Sequence, residues 1–117
     1  MSGTEGDREA RQRIEKLREA QQRIEQAQRL GARTLDLRNM KLTELPEAII
    51  SLTQLQGLYL SNNQLTELPE SIASLTQLRQ LNLNNNQLTK LPEAIASLTQ
   101  LQQLTALPDV MRYSSSN

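Results

Sequence analysis

The sequence predicts an α/β solenoid in which short strands form a parallel sheet on a concave face, short helices lie on the convex face, and an amphipathic helix caps the amino-terminal end. Two observations support this prediction. Leucine, isoleucine and proline recur in register every 23 residues through most of the 117-residue chain, which indicates stacked repeats. Before them lies a charged stretch without proline or glycine, in which apolar residues recur at helical spacing.

Each repeat begins with a Leu-x-Leu tripeptide that predicts a strand. Leu58 and Leu60 fall on one side of an extended segment and Tyr59 on the other, because side chains alternate along a strand. The same tripeptide starts at Leu35 and Leu81, 23 residues before and after Leu58. One repeat cannot bury these leucines alone, so we expect neighbouring repeats to stack with strands about 4.8 Å apart.

Asparagine follows the strand in the second and third repeats, at Asn63 and Asn86. We expect these two amides to form a structural ladder that bonds turn backbone otherwise buried without a partner. The first repeat has Met40 at this position, which fits an edge repeat with no earlier neighbour to satisfy. Proline then opens a short helical arm at its first position. These prolines are Pro46, Pro69 and Pro92.

Residues 7–31 predict an amphipathic capping helix that ends at Gly31. At 1.5 Å per residue the helix is roughly 36 Å long, which exceeds the arm of one repeat. Its amino-terminal half, with Ile14 and Leu17, therefore either lies on the array or projects to pair with another helix. Residues 1–6 and 111–117 are predicted to be disordered, and residues 32–110 to hold three full repeats and one truncated repeat.

The carboxyl-terminal repeat departs from the pattern. Pro108 follows Pro92 by 16 residues instead of 23, and we expect the strand-to-asparagine turn to be among the missing residues. Either Leu104 and Leu107 form an aberrant last strand, or the chain is a fragment of a longer array. We predict that this end frays, or that two molecules associate weakly through it.

These features resemble the leucine-rich repeat family, in the 23-residue form LxxLxLxxNxLxxLPxxIxxL, over residues 32–110. The resemblance implies a short right-handed arc that binds proteins. A charged helix leading into GARTLDLRNMKLTELPEAI is also similar to the start of arrays in bacterial and cyanobacterial proteins. Some of these are of the Roco type, in which the array precedes a GTPase domain. This chain has no GxxxxGK loop for a phosphate.

Composition argues against several functions. The formal net charge is zero, so no long-range field attracts nucleic acid or a membrane surface. With neither histidine nor cysteine, the chain lacks the usual catalytic bases, thiolates and zinc ligands. A row of glutamates follows the prolines, at Glu47, Glu70 and Glu93, and we interpret it as complementing helix dipoles. We expect no catalysis, no cofactor and no metal, and a cytoplasmic location.

The outward positions of the strands and turns form the candidate binding site. They would tile a rigid, nearly neutral, amide-rich face, with Tyr59 as an aromatic hot spot. We predict a protein–protein interaction module whose partner the sequence does not identify. The alternative is a structural fragment of a longer Roco-like protein whose functional domain lies elsewhere. The predicted face comprises Asp36, Arg38, Tyr59, Ser61, Asn62, Gln80, Asn82, Asn84 and Asn85, with Thr34, Asn39 and Gly57 beside them.

Overall fold

The computed structural model describes residues 4–89 and 91–105. Within these ranges one long helix, α1, precedes four short strands, and a 3-10 helix follows each of the first three strands. The helix is α1 (Thr4–Leu30), and the strands are β1 (Thr34–Asp36), β2 (Gly57–Tyr59), β3 (Gln80–Asn82) and β4 (Gln103–Thr105). The 3-10 helices span Glu47–Ser51, Glu70–Ser74 and Glu93–Ser97.

The strands form one parallel sheet in the order β1-β2-β3-β4. Each strand pairs with the next at an offset of one repeat, so Leu35, Leu58, Leu81 and Leu104 lie side by side. Sequential order with parallel pairing is what a solenoid requires, because each repeat returns the chain to the same end of the sheet. The predicted α/β solenoid with an amino-terminal helix is confirmed.

The core is a stack of aliphatic side chains from every repeat. In the second repeat Leu58, Leu60, Leu65, Ile72 and Leu75 are completely buried. Their counterparts in the first and third repeats are also buried, and the described residues form one continuous hydrophobic cluster. Leucine suits this stack because neighbouring strands are only about 4.8 Å apart, and an aromatic ring would force the layers further apart.

The amide of Asn63 connects two repeats through buried backbone. Its Oδ1 accepts hydrogen bonds from the backbone N–H groups of Met40 and Leu42, each at 3.0 Å. Its Nδ2 donates to the carbonyl oxygens of Leu37 and Leu60, each at 2.9 Å. Because Met40 and Leu42 belong to the first repeat, Asn63 satisfies the turn of the repeat before its own.

Asn86 has a similar arrangement one repeat later, although its oxygen accepts from one backbone N–H instead of two. Its Oδ1 accepts from the N–H of Leu65 at 3.0 Å, and its Nδ2 donates to the carbonyls of Leu60 and Leu83 at 2.9 and 3.1 Å. Met40, which stands at the equivalent position of the first repeat, is buried as an apolar side chain. No fully buried side-chain nitrogen or oxygen of the described residues lacks a hydrogen-bond partner.

The helical arms differ from the prediction in one detail. Pro46, Pro69 and Pro92 have helical φ values of −60°, −70° and −66° but extended ψ values of 136°, 149° and 149°. Each proline is therefore the residue before the helix and not its first helical residue. The five residues that follow form a 3-10 helix, whose single turn suits the short distance back to the next strand.

Helix α1 caps the first repeat with its carboxyl-terminal half. Ala20, Ile24 and Ala27 are buried against the repeats, whereas Ile14 is 55% exposed. The helix begins at Thr4, before the predicted residue 7, because the single Gly6 costs only about 1 kcal/mol within a helix. It ends as predicted before Gly31, whose φ of 61° terminates it in the left-handed conformation. Among the described residues, no helix is long and apolar enough to cross a membrane.

Strand β4 corrects the prediction for the carboxyl-terminal end. Gln103 pairs with Gln80 and Leu104 with Leu81, so the 23-residue offset persists through Thr105. Leu104 therefore lies in a regular strand, not an aberrant one, and the shortening of the last repeat falls after β4. Leu104 occupies the position of Leu81 one repeat later, so the strand presents a leucine to the core as the earlier strands do. Leu107 and the predicted tail at 111–117 lie outside the described residues.

The ladder amides generate a prediction for stability. We expect Asn63→Ala to lower the free energy of unfolding by about 1–3 kcal/mol, because it leaves buried backbone groups of two repeats without partners. The matched control is Asn62→Gly: Asn62 is exposed and has a φ of 60°, a conformation that glycine adopts without strain. Urea unfolding followed by circular dichroism would compare the two. Equal losses would contradict the role assigned to Asn63.

The register of β4 generates a second prediction. The N–H groups of Gln102 and Gln103 donate to the carbonyl of Arg79 at 2.8 and 2.9 Å, as those of Arg79 and Gln80 donate to the carbonyl of Gln56. We expect the β4 amides to show clear protection in hydrogen exchange, but less than the inner pair, because they belong to the last described strand. Unprotected exchange at Gln103 would contradict the pairing.

The predicted weak association should appear as a mass that rises with concentration in light scattering.

Candidate partner-binding face

The predicted concave face corresponds to the solvent side of the sheet. We call this side, together with the turn residues that follow each strand, the strand face. Its outward positions alternate with the buried leucines along each strand. Asp36, Arg38, Asn62, Gln80, Asn84 and Asn85 are exposed, as are Thr34 and Asn39; Tyr59 and Asn82 are half-buried; Ser61 and Gly57 are buried.

Ser61 does not belong to the accessible part of the strand face. Its exposed fraction is 8%, because its small side chain lies between repeats that carry the longer Arg38 and Asn84 at the equivalent positions. Its backbone instead serves the turn, where its carbonyl accepts from the N–H of Asn39 at 3.2 Å. The prediction that Ser61 contacts a partner is therefore unsupported by its position.

Tyr59 lies back along the sheet instead of projecting from it. Its hydroxyl donates to Oε1 of Gln80 on the next strand at 2.7 Å. A Cβ atom added at Gly57 would lie 2.9 Å from the Tyr59 hydroxyl oxygen and 3.2 Å from Cζ. The end of the ring therefore rests above Gly57, and the missing side chain makes this position accessible. The Tyr59 ring is thereby held against the sheet.

The strand face also carries a fixed ion pair at its β1 end. The Arg38 side chain donates from Nε and Nη2 to the two carboxylate oxygens of Asp36, both at 2.9 Å. The Arg38 backbone N–H donates to Oδ1 of Asp36 at 3.0 Å. From helix α1, Arg23 Nη1 donates to the backbone carbonyl of Asp36 at 2.8 Å. Helix α1 thereby contacts the first strand of the strand face.

This ion pair shifts the pKa values of both partners. The hydrogen bond from the Arg38 side chain lowers the pKa of the Asp36 carboxyl, although partial burial acts in the opposite direction. The same bond raises the pKa of the Arg38 guanidinium. Both groups are therefore charged at neutral pH. Because about half of each side chain is exposed, the pair orients the two groups more than it stabilises the fold.

Two asparagine interactions order the rest of the face. Oδ1 of Asn82 accepts a hydrogen bond from the backbone N–H of Asn84, with 3.2 Å between the nitrogen and the oxygen. Asn85 donates from Nδ2 to Oδ1 of Asn62 in the preceding repeat, at 2.8 Å. Asn62 and Asn85, like Asn39, have φ near 60°, a left-handed conformation that asparagine tolerates better than most residues. Asparagine at these positions therefore has a backbone role as well as an exposed amide.

A second concavity lies between the amino-terminal half of α1 and the turn of the first repeat. It has a volume of about 230 Å³ and is lined in part by Arg13, Ile14, Leu17, Lys41 and Leu42. Lys41 has a left-handed φ of 54°, and its Nζ donates to Oε1 of Gln12 at 3.2 Å.

The strand face carries groups suited to non-covalent contacts. Amides, one aromatic ring and one ion pair can donate and accept hydrogen bonds and pack against an apolar group. Within residues 4–89 and 91–105 no cluster of three or more acidic, histidine or cysteine side chains is arranged to hold a metal ion.

Two interactions on this face were not predicted from the sequence, although a residue pair in the sequence indicates each of them. Gly57 precedes Tyr59 by two residues, and Asp36 precedes Arg38 by two residues. Side chains two apart on a strand or just beyond its end share one side. An aromatic residue near a glycine, or opposite charges at this spacing, therefore predicts a local interaction on the face.

The contact between Gly57 and Tyr59 generates a prediction. Gly57→Ala should move the ring of Tyr59 off the sheet and break its bond to Gln80, because the added Cβ occupies the same space. The loss of about 0.5–1.5 kcal/mol from this bond is largely offset by the better fit of alanine in a strand. We expect altered Tyr59 ring resonances in the NMR spectrum with a nearly unchanged midpoint of thermal unfolding. Unchanged ring resonances would contradict the packing described for Tyr59.

Comparison with known proteins agrees with the repeat architecture. A family profile described as a leucine-rich repeat region matches residues 15–116. A solved leucine-rich repeat protein from Leptospira interrogans is 38% identical to this chain and superimposes with a TM-score of 0.54. That alignment covers 65% of this chain and 21% of the Leptospira chain, so the present chain spans about a fifth of its length. No curated protein matches.

The profile covers most of the chain, including all of the strands and the second half of α1. The repeat period, the stacked parallel strands and the asparagine ladder are the structural basis of that match. This chain belongs to the leucine-rich repeat family.

Proposed function

We propose that this chain is a non-catalytic protein-interaction module that binds its partner through the strand face. The observation that carries the proposal is the fixed position of Tyr59, whose hydroxyl is bonded to Gln80 at 2.7 Å above Gly57. An aromatic side chain already held in one conformation loses little entropy on binding. The surrounding amides can then form hydrogen bonds to the partner.

Family membership supports the general class, since leucine-rich repeats commonly mediate protein–protein contacts. The neutral strand face supports a protein partner over nucleic acid, because phosphate binding requires clustered lysine or arginine. On this face the one guanidinium, that of Arg38, is already engaged by Asp36. We place the module in the cytoplasm of a bacterium, on the absence of cysteine and on the bacterial source of the solved relative.

The second candidate is a structural segment within a longer protein. It is favoured by the length of the Leptospira relative, of which this chain covers only 21%. In that case the repeats would hold another domain in place, and the strand face would contact that domain instead of a separate protein. The two candidates differ in whether the strand face contacts a separate protein or another domain of the same longer protein.

The proposal predicts that Tyr59 is a binding hot spot. The tagged chain and its variants would be used to capture proteins from the native cell, with capture quantified by mass spectrometry. We expect Tyr59→Ala to weaken capture of the specific partner by about 30-fold, as for a hot spot of about 2 kcal/mol. The matched control is Thr76→Ala, at an exposed position after the second 3-10 helix.

The capture experiment has a direct negative outcome. A partner retained equally by wild type, Tyr59→Ala and Thr76→Ala would bind elsewhere, and the strand face would not be the site. Gly57→Ala provides an independent test, because it displaces the Tyr59 ring without removing any of its chemical groups. It should weaken capture in parallel with Tyr59→Ala.

A further inference from the structure

The backbone carbonyl at the end of an inner strand is bonded by the repeat before it. The last residues of the four strands lie side by side and are Asp36, Tyr59, Asn82 and Thr105. The N–H of Leu37 donates to the carbonyl of Tyr59 at 2.9 Å, and the N–H of Leu60 donates to that of Asn82 at 2.8 Å. The carbonyl at this position therefore depends on a donor from the preceding repeat.

Arg23 supplies the corresponding donor for the first strand. Among the described strands β1 is the first of the sheet, so no earlier strand offers an N–H to the carbonyl of Asp36. Nη1 of Arg23 donates to this carbonyl at 2.8 Å, the same distance as in the bond between Leu60 and Asn82. One nitrogen of the α1 side chain thus replaces the backbone N–H of a preceding strand.

The peptide group that joins Asp36 to Leu37 is thereby held at both ends. Its N–H donates to the carbonyl of Tyr59 at 2.9 Å, and its carbonyl accepts from Arg23. The corresponding peptide group of the second repeat is also bonded at both ends, by backbone alone. Because a peptide group is planar, two bonds at opposite ends fix its orientation and with it the Cα atom of Asp36.

The orientation of Arg38 depends in turn on Asp36. The Asp36 carboxylate accepts from Nε, Nη2 and the backbone N–H of Arg38 at 2.9–3.0 Å. The hydrogen bond from the Arg38 side chain is the main cause of the lowered pKa of Asp36, and the charge of Arg23 lowers this pKa further. A carboxylate that moves with a loose peptide group would take the Arg38 side chain with it.

Arg23 is itself held in place on α1. Its Nη2 donates to Oε2 of Glu19, one helical turn earlier, at 3.0 Å. The same stretch of α1 is anchored on the repeats by Ala20, Ile24 and Ala27, which are buried. A planar guanidinium donates in two fixed directions at once, so Arg23 can join α1 to β1. A continuous series of bonds therefore runs from Glu19 on the helix to Arg38 on the strand face.

We propose that Arg23 is a positioning residue of the strand face, which replaces the N–H of a preceding strand and, through Asp36, fixes the guanidinium of Arg38. This inference rests on the proposed function and adds a residue of α1 to the site. The docked helix is then part of the binding surface, because displacing it would leave Arg38 free to adopt several orientations.

The test follows the Nε–H signal of Arg38 in the ¹⁵N-labelled full chain and measures its hydrogen exchange with water by NMR. Arg23→Met keeps much of the apolar length of the side chain and removes all of its donors. We expect exchange at Arg38 to become about three- to tenfold faster, as the loss of one hydrogen bond allows. The matched control is Arg18→Met, which removes the same charge from an exposed position of α1 and should leave the rate unchanged.

A second pair of variants keeps Arg23 in the chain. It decides the question if Arg23→Met displaces α1, which would appear as lost exchange protection at the Ile24 amide. Glu19→Ala removes the carboxylate that holds Nη2 of Arg23, and should speed exchange at Arg38 by about twofold. Glu15→Ala makes the same change at an exposed position of α1 and should have no effect.

Two outcomes would overturn the proposal: unchanged exchange at Arg38 in both test variants, or equal changes in the test variants and their controls. Failure of this inference is distinguishable from failure of the proposed function. If Tyr59→Ala weakens capture of a cellular partner but neither test variant affects Arg38, the strand face binds and Arg23 does not position it. If the test variants free Arg38 but Tyr59→Ala leaves capture unchanged, the positioning role stands and the proposed function fails.

Discussion

Buried turns are the central problem of a stacked repeat, and a single asparagine amide solves it here. Every repeat must reverse direction inside the stack, where backbone N–H and C=O groups have no access to water. Asn63 satisfies two such N–H groups and two carbonyls at 2.9–3.0 Å. The hydrogen bonds of a regular strand cannot reach these groups. Without the ladder, stacking the leucine layers would leave buried polar backbone atoms without hydrogen-bond partners, which is destabilising.

The rigidity of the strand face is a consequence of this arrangement. Because the ladder fixes the turn at the end of each strand, the residues beside it have defined positions. Asn62 lies next to Asn63 and bonds across the repeats to Asn85 at 2.8 Å. Tyr59, a few residues earlier, is held by Gln80. If the strand face binds a partner as proposed, these fixed positions would require little adjustment on binding.

The sequence was sufficient for those parts of the structure that depend on periodicity. The strands at Leu35, Leu58 and Leu81, their register and the ladder positions Asn63 and Asn86 all follow from a 23-residue repeat that physical stacking enforces. One of the two alternatives for the carboxyl-terminal end, an aberrant last strand, was wrong. The early position of Pro108 suggested it, yet Leu104 pairs with Leu81 in the regular register.

The details of the candidate site were less accessible from the sequence. Two of these details depend on side-chain rotamers and on the size of neighbouring groups. They are the position of Tyr59 over Gly57 and the two-bond ion pair between Arg38 and Asp36. A repeat pattern carries no information on these. The direction of each amide is likewise set by a neighbour on the same or the next strand. Such features emerge only when the strands are placed side by side.

The ladder has a direction, and this has a consequence for how such arrays lengthen. Asn63 satisfies the turn of the first repeat and Asn86 that of the second, so each repeat is completed by its successor. A new repeat inserted inside the array both completes its predecessor and is completed in turn. A repeat appended after the last one also completes its predecessor, and its own turn is then the one without a successor. However the array lengthens, one turn lacks a ladder asparagine from a following repeat, so the last repeat is the place where the sequence of the turn must change.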